Sequence, residues 1–271
     1  MSLRRSLAPV AISAALTFTP SAWAQPTTRP VAYELDGTHF TGTLVYDSAG
    51  PAQRPGVVMV PNWMGPTPAA VDMAKRIAGQ DYVVLVADVY GATVRPANAD
   101  QASAAAGALR ADRPLLRARM NKAVNVLAAQ AGTAPLDTTR LAAVGFCFGG
   151  GSVLELARSG RDVDAVVSFH GNLDTPLPAR AGHIPAAVLV LHGADDPFVP
   201  AADVAAFEQE MRAAGADWQL VAYGGAVHSF SEPEAAMPGK AEYHPVVARR
   251  AFAAMRSFLA ERFAPAGASG G

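Results

Sequence analysis

Cys147, Asp196 and His228 are a thiol, a carboxylate and an imidazole, and each lies just past an apolar run of strand length. Cys147 is the only cysteine among 271 residues and sits in Gly145-Phe146-Cys147-Phe148-Gly149-Gly150, directly after a run ending at Val144. A G-x-nucleophile-x-G turn between a strand and a helix holds its central side chain at the helix N-terminus, where side chains in place of the glycines would clash. Backbone N–H groups and the helix dipole at that point favour a thiolate. A phosphate loop would instead need a Lys-Ser/Thr ending or G-x-G-x-x-G spacing, and this stretch has neither.

Asp196 lies in His192-Gly193-Ala194-Asp195-Asp196-Pro197-Phe198-Val199-Pro200, and His228 in the glycine-rich Tyr223-Gly224-Gly225-Ala226-Val227-His228-Ser229-Phe230. Nucleophile, acid and histidine in that chain order fit acyl transfer on an α/β scaffold. His228 would deprotonate Cys147 and later activate water, while Asp196 fixes its tautomer and orientation. Such general-base help is worth ~10²–10⁴ in rate. Asp196 is preferred over Asp195 because it directly precedes the Pro197 turn; Asp195 reads as a turn-capping side chain. By count, a lone cysteine reads as a small buried hydrophobe. The two downstream groups reverse that reading. His39, His183, His192 and His244 read as structural, whereas His170 follows an apolar strand and is expected to line the pocket. No set of His, Cys and carboxylates has metal-ligand spacing, so no metal is expected.

The elements that must position these groups follow from periodicity. Two β-prone runs flank Asp36-Gly37, a hairpin signal. Apolar runs in "RPGVVMVP" and "DYVVLVADVYG" read as strands buried on both faces, and "TTRLAAVGF", "VDAVVSFHG", "IPAAVLVLHG" and "DWQLVAYGG" read as further strands. Helical patterns lie between them, from Pro68 to Gly79, from Asn98 to Ala131 with a break at Pro114, from Gly150 to Gly160, and from Pro200 to Gly215. A last amphipathic helix covers 244–262. Alternation of this kind predicts one doubly wound, mostly parallel α/β sheet of about eight strands with an N-terminal hairpin. Ligands of such sheets bind beyond the carboxyl ends of the strands, where all three candidate residues fall.

Arg4-Arg5, an apolar stretch of about a dozen residues and Ala22-Trp23-Ala24 read as a cleaved secretory leader over 1–24. The expected domain spans 25–263, with 264–271 a flexible tail. The chain carries 22 Lys+Arg and 23 Asp+Glu, net −1, interspersed without a basic stripe. That excludes a nucleic-acid surface. No membrane partner is expected after leader cleavage. The expected protein is exported, periplasmic or secreted, and a monomer or weak homodimer.

The three motifs together resemble the dienelactone hydrolase (carboxymethylenebutenolidase) family, over essentially the whole domain. The resemblance implies an α/β-hydrolase fold with a Cys-His-Asp triad and cofactor-free hydrolysis of esters or lactones through a thioester. It also implies an oxyanion hole from the backbone N–H groups of Trp63 and Phe148; losing one such donor costs roughly 10²–10³ in turnover. Two positions depart from the family pattern. Asn62 stands where the founding members carry a thiol-pairing glutamate, and Glu232 stands where they carry a substrate-binding arginine; Arg95 lies near another expected arginine. An acid in place of that cation argues for neutral esters or lactones. Asn62, Trp63, Tyr90, Phe146, His170, Phe198 and Phe230 are the expected pocket residues. Aromatic esters, polyesters, or a non-catalytic binding protein retaining the fold are the competing readings.

Overall fold

A computed structural model describes residues 26–264. The leader, and the tail beyond Ala264, lie outside the described residues. The strands β1 (Pro26–Leu35) and β2 (Thr38–Asp47) pair antiparallel across Asp36-Gly37, both with positive φ (48° and 75°). Two left-handed residues match the twist of the flanking strands, as a two-residue hairpin requires. Then follow β3 (Arg54–Val60), α1 (Pro68–Ala78), β4 (Val83–Val86), α2 (Ala99–Ala111), α3 (Arg113–Ala128), β5 (Leu136–Phe146), α4 (Phe148–Arg158) and β6 (Ala165–Phe169). The chain continues through β7 (Ala187–Gly193), α5 (Ala201–Ala214), β8 (Trp218–Tyr223), a small hairpin β9 (Ala236–Met237) and β10 (Ala241–Glu242), and α6 (Pro245–Arg262).

The main sheet has eight strands in the order β1-β2-β4-β3-β5-β6-β7-β8. From β4 to β8 every pairing is parallel, and β2 joins β4 antiparallel. Side chains alternate between the two faces of each strand. One face, with Val58 and Val60, packs on Leu109 of α2, Met120 of α3, Leu154 of α4 and Phe207 of α5. The other, with Val57 and Met59, packs on Ile77 of α1 and Met255 of α6. Burial on both sides explains why these strands read as unbroken apolar runs.

Two expectations need correction. "DYVVLVADVYG" is strand only as far as Val86, because the buried Asp88 carboxylate accepts from the Tyr90 and Gly91 N–H groups, each at 3.0 Å, and turns the chain. The β9–β10 hairpin was not foreseen, since two-residue strands carry no periodicity. The alanine-rich segment does divide near Pro114. Asp112 caps α3 by accepting from Leu115 N–H, and Pro114 occupies the first turn.

Candidate active site

Cys147 is the hinge between β5 and α4, with φ of 54°. A Cβ on Gly145 would lie 2.0 Å from the Gly149 carbonyl oxygen, and one on Gly149 would lie 2.1 Å from that of Val60. Only glycine fits at either position, so the β5–α4 turn can press against β3 and lift the thiol. Cys147, His170 and Ser229 are three of the four described non-glycine residues with positive φ, and all three surround the site. Backbone strain concentrated this way marks a functional centre.

His228 stands beyond β8, held by main-chain bonds to the small hairpin: its N–H donates to Lys240 O, and its carbonyl accepts from Glu242 N–H. Its Nε2 lies 3.0 Å from Cys147 Sγ and its Nδ1 2.7 Å from Asp196 Oδ2. Asp196 is buried, and its other oxygen accepts from Phe198 N–H at 2.8 Å. Asp195 turns away and accepts from Gly225 N–H. Burial alone would lower the His228 pKa, but the hydrogen bonds and charges of Asp196 and Cys147 outweigh it and push it up to about 10. An imidazolium held between a carboxylate and a sulfur is suited to stabilise a thiolate and later to protonate a leaving group.

A cleft of about 780 Å³ opens over Cys147 and His228. Trp63, Phe148, Phe198 and Met237 supply apolar walls, and α2 contributes Ser103, Ala106, Gly107 and Arg110. Arg110 is ion-paired with Asp174 at 2.9 Å, and Asp174 and Asp203 also line the cleft. Trp63 and Phe148, the two expected oxyanion donors, thus border the same cavity as the thiol. Neither of their amides donates to another described residue.

Of the expected pocket residues, only Trp63 and Phe198 line this cleft, and the others are corrected as follows. Tyr90 is buried behind it, stacked on Phe148 at 5.4 Å, with its hydroxyl donating to Trp63 O at 2.9 Å. Phe146 is buried against Phe169, and Phe230 against His170. His170 is fully buried beneath the elbow: Cys147 N–H donates to its Nδ1 at 3.2 Å, and its Nε2 lies 2.7 Å from Ser231 Oγ. Burial, and then the charge of His228, hold its pKa well below the usual value, so it is neutral, with the proton on Nε2. Asn62 faces Glu232 instead of the cleft, donating from Nδ2 to Oε1 at 2.5 Å. Arg95 is committed to Asp88 and to the carbonyls of Gly91 and Val94.

Sequence reasoning missed the α2 wall, Asn172, Asp174, Asp203, Ser229, Met237 and Ala241. Asn172 and Asp174 follow β6 directly, so the strand-end rule could have found them. The contribution of α2 had no such signal, because an alanine-rich helix barely distinguishes its faces.

The strand order, the sharp β5–α4 turn and the grouping of Cys147, His228 and Asp196 at the strand ends are those of an α/β-hydrolase fold. Residues 41–263 match the dienelactone hydrolase family, and the chain belongs to it. It is 38% identical to the solved structure named m3DLH, with a TM-score of 0.81, covering 88% of this chain and 99% of that one. It is 37% identical, again with a TM-score of 0.81 and the same coverages, to P91, a dienelactone hydrolase-like promiscuous phosphotriesterase from metagenomic libraries. An uncharacterized protein of Caenorhabditis elegans, K02A2.1, is 37% identical over 158 residues, which are 55% of this chain and 95% of that protein. Membership makes the chain a carboxylic ester hydrolase with small-molecule substrates.

Proposed function

We propose that this protein is an exported hydrolase that cleaves neutral carboxylic esters or lactones through a Cys147 thioester, without a cofactor. The observation that carries the reading is the continuous line from Cys147 Sγ through the two nitrogens of His228 to Asp196. Asp196 and Cys147 hold the proton on His228 up to about pH 10, and the imidazolium Nε2 stands 3.0 Å from the sulfur. The thiolate attacks the carbonyl carbon, and the oxyanion takes hydrogen bonds from the Trp63 and Phe148 N–H groups. Collapse breaks the bond to the leaving alkoxide, which takes the proton from His228 Nε2. The now neutral imidazole deprotonates water, hydroxide attacks the thioester, and the acid departs with the thiolate restored.

Preference for neutral substrates rests on the cleft's charges. Its arginine is already paired, and Asp203 adds a negative charge, which leaves no free cation among the described lining residues for a substrate carboxylate. Glu232, turned toward Asn62, does not contribute by contact. Export rests on the leader pattern in residues 1–24.

Replacement of Cys147 by Ala should lower kcat/KM on p-nitrophenyl butyrate by at least about 10³. Full retention of activity would end the thioester reading. A panel of neutral and carboxylate-bearing lactones tests the substrate class, with the neutral ones expected to be faster. A second reading, phosphotriester hydrolysis on the same thiol, is favoured by the similarity to P91, and paraoxon turnover dependent on Cys147 would support it.

A further inference from the structure

The two positions that depart from the family pattern touch each other. Asn62 Nδ2 donates to Glu232 Oε1 at 2.5 Å, across 170 residues of chain. The same Asn62 side chain accepts from Met64 N–H through Oδ1 at 3.0 Å, and its main-chain carbonyl accepts from Gly65 N–H at 2.9 Å. Asn62 therefore ties off a tight turn whose apex is Trp63. From the opposite side, the Tyr90 hydroxyl holds the Trp63 carbonyl. Trp63 is thus held on both sides of its N–H, its own carbonyl by a phenol and the preceding Asn62 side chain by a carboxyl.

Glu232 is anchored to the base loop. Its N–H donates to Ser229 O at 3.0 Å, and Ser229 partly offsets the effect of burial on its carboxyl. The residue is partly exposed, yet its carboxyl end points inward, with no cation among the described residues bonded to it, and burial raises its pKa above the ordinary carboxylate value. Holding an acid there is a cost that a neutral side chain would avoid, so folding alone does not account for it. It stands away from the cleft over Cys147, in a small cavity shared with Asn62 and Phe146.

We propose that Glu232 is a positioning residue: through Asn62 it locks the 62–65 turn to the histidine loop, so that the Trp63 N–H and His228 address the same carbonyl group. This rests on the thioester reading above. The role belongs to the bonded pair, not to a charge at either position. The hydrogen bond can therefore be reversed. In the double variant Asn62→Asp with Glu232→Gln, the new amide donates to the new carboxylate. The second oxygen of that carboxylate still accepts from Met64 N–H.

The test reads ester turnover and thiol alkylation side by side in the full chain. Alkylation of Cys147 by iodoacetamide needs the thiolate but forms no oxyanion. Glu232→Ala should lower kcat on p-nitrophenyl butyrate by about 10–100-fold, leaving KM and the alkylation rate within roughly threefold. Asn62→Ala should do the same, and the two together should cost no more than one alone. The reversed pair should regain at least about tenfold in kcat over Glu232→Ala. Glu232→Ala and Asn62→Ala should each still unfold cooperatively, and Glu232→Gln should unfold at or above the wild-type temperature at neutral pH, which separates loss of turnover from loss of fold.

Turnover and alkylation falling together, no loss of turnover in Glu232→Ala, or no recovery by the reversed pair would each overturn the assignment. Cys147→Ala measured in parallel separates the two readings. If it stays active, the thioester reading fails; if it is dead while Glu232→Ala is active, only the positioning role fails.

Discussion

The titration of His228 is set by the two groups hydrogen-bonded to its ring. Asp196 and Cys147 raise His228 to about 10, so the alkaline limb of kcat/KM should fall near pH 10 in a wide-range rate profile. Stability should follow the same proton. An unfolded histidine releases it near 6.5, whereas the folded one keeps it to about 10. The stabilisation from this site is therefore complete below pH 6.5, declines as pH rises from 6.5 to 10, and is absent above. In denaturant titrations the stability difference between wild type and His228→Ala should shrink across that window. His170 plays a different part. It is neutral and buried, and it takes the Cys147 N–H on one nitrogen while the other faces Ser231, so it shapes the elbow without titrating in the working range.

Among the elements, the elbow and α2 make opposite demands on glycine. Gly149 has no room for a methyl group, because β3 lies 2.1 Å from where it would stand. Gly149→Ala should cost about 1–3 kcal/mol or more in chemical denaturation, as overpacking does, and lower kcat by displacing Cys147. Gly107, in mid-helix on the cleft wall, has nothing within 4 Å of a Cβ. Gly107→Ala should therefore stabilise by up to about 1 kcal/mol. Gly107→Leu should raise KM for long-chain p-nitrophenyl esters more than for acetate by filling the cleft. The short β9–β10 hairpin carries His228 on its main chain and places Met237 on the cleft wall, so one element both positions the imidazole and shapes access.

Across the whole molecule, a buried charge network ties the helical layer to the cleft. Arg158, 1% exposed, bonds Glu155 on its own helix, Glu210 of α5 and the Leu173 carbonyl; Glu155 also receives Arg117 of α3. Leu173 lies between Asn172 and Asp174 of the cleft wall, so the network anchors that segment. Removing one partner of a buried pair leaves uncompensated charge, and Arg158→Met should cost about 3–5 kcal/mol in chemical denaturation. Residual activity at low temperature should keep a wild-type pH profile, since Cys147, His228 and Asp196 are untouched.

Much of this was legible in the residues themselves. The strands of the inner sheet are unbroken apolar runs, Asp36-Gly37 can only turn, and the glycines about Cys147 leave few alternatives to an elbow. Local sterics and periodicity act over a few residues, so sequence alone determined the fold class, the order of the elements and the three groups at the strand ends. Which aromatic residues face the cleft could not be read the same way. Tyr90, Phe146 and Phe230 have the composition of a pocket, but burial among other rings depends on neighbours far along the chain. The partner of Asn62 lies 170 residues away. Its meeting with Glu232 exists only because β3 and the loop after β8 end on the same side of one sheet, a juxtaposition that the tertiary structure alone decided.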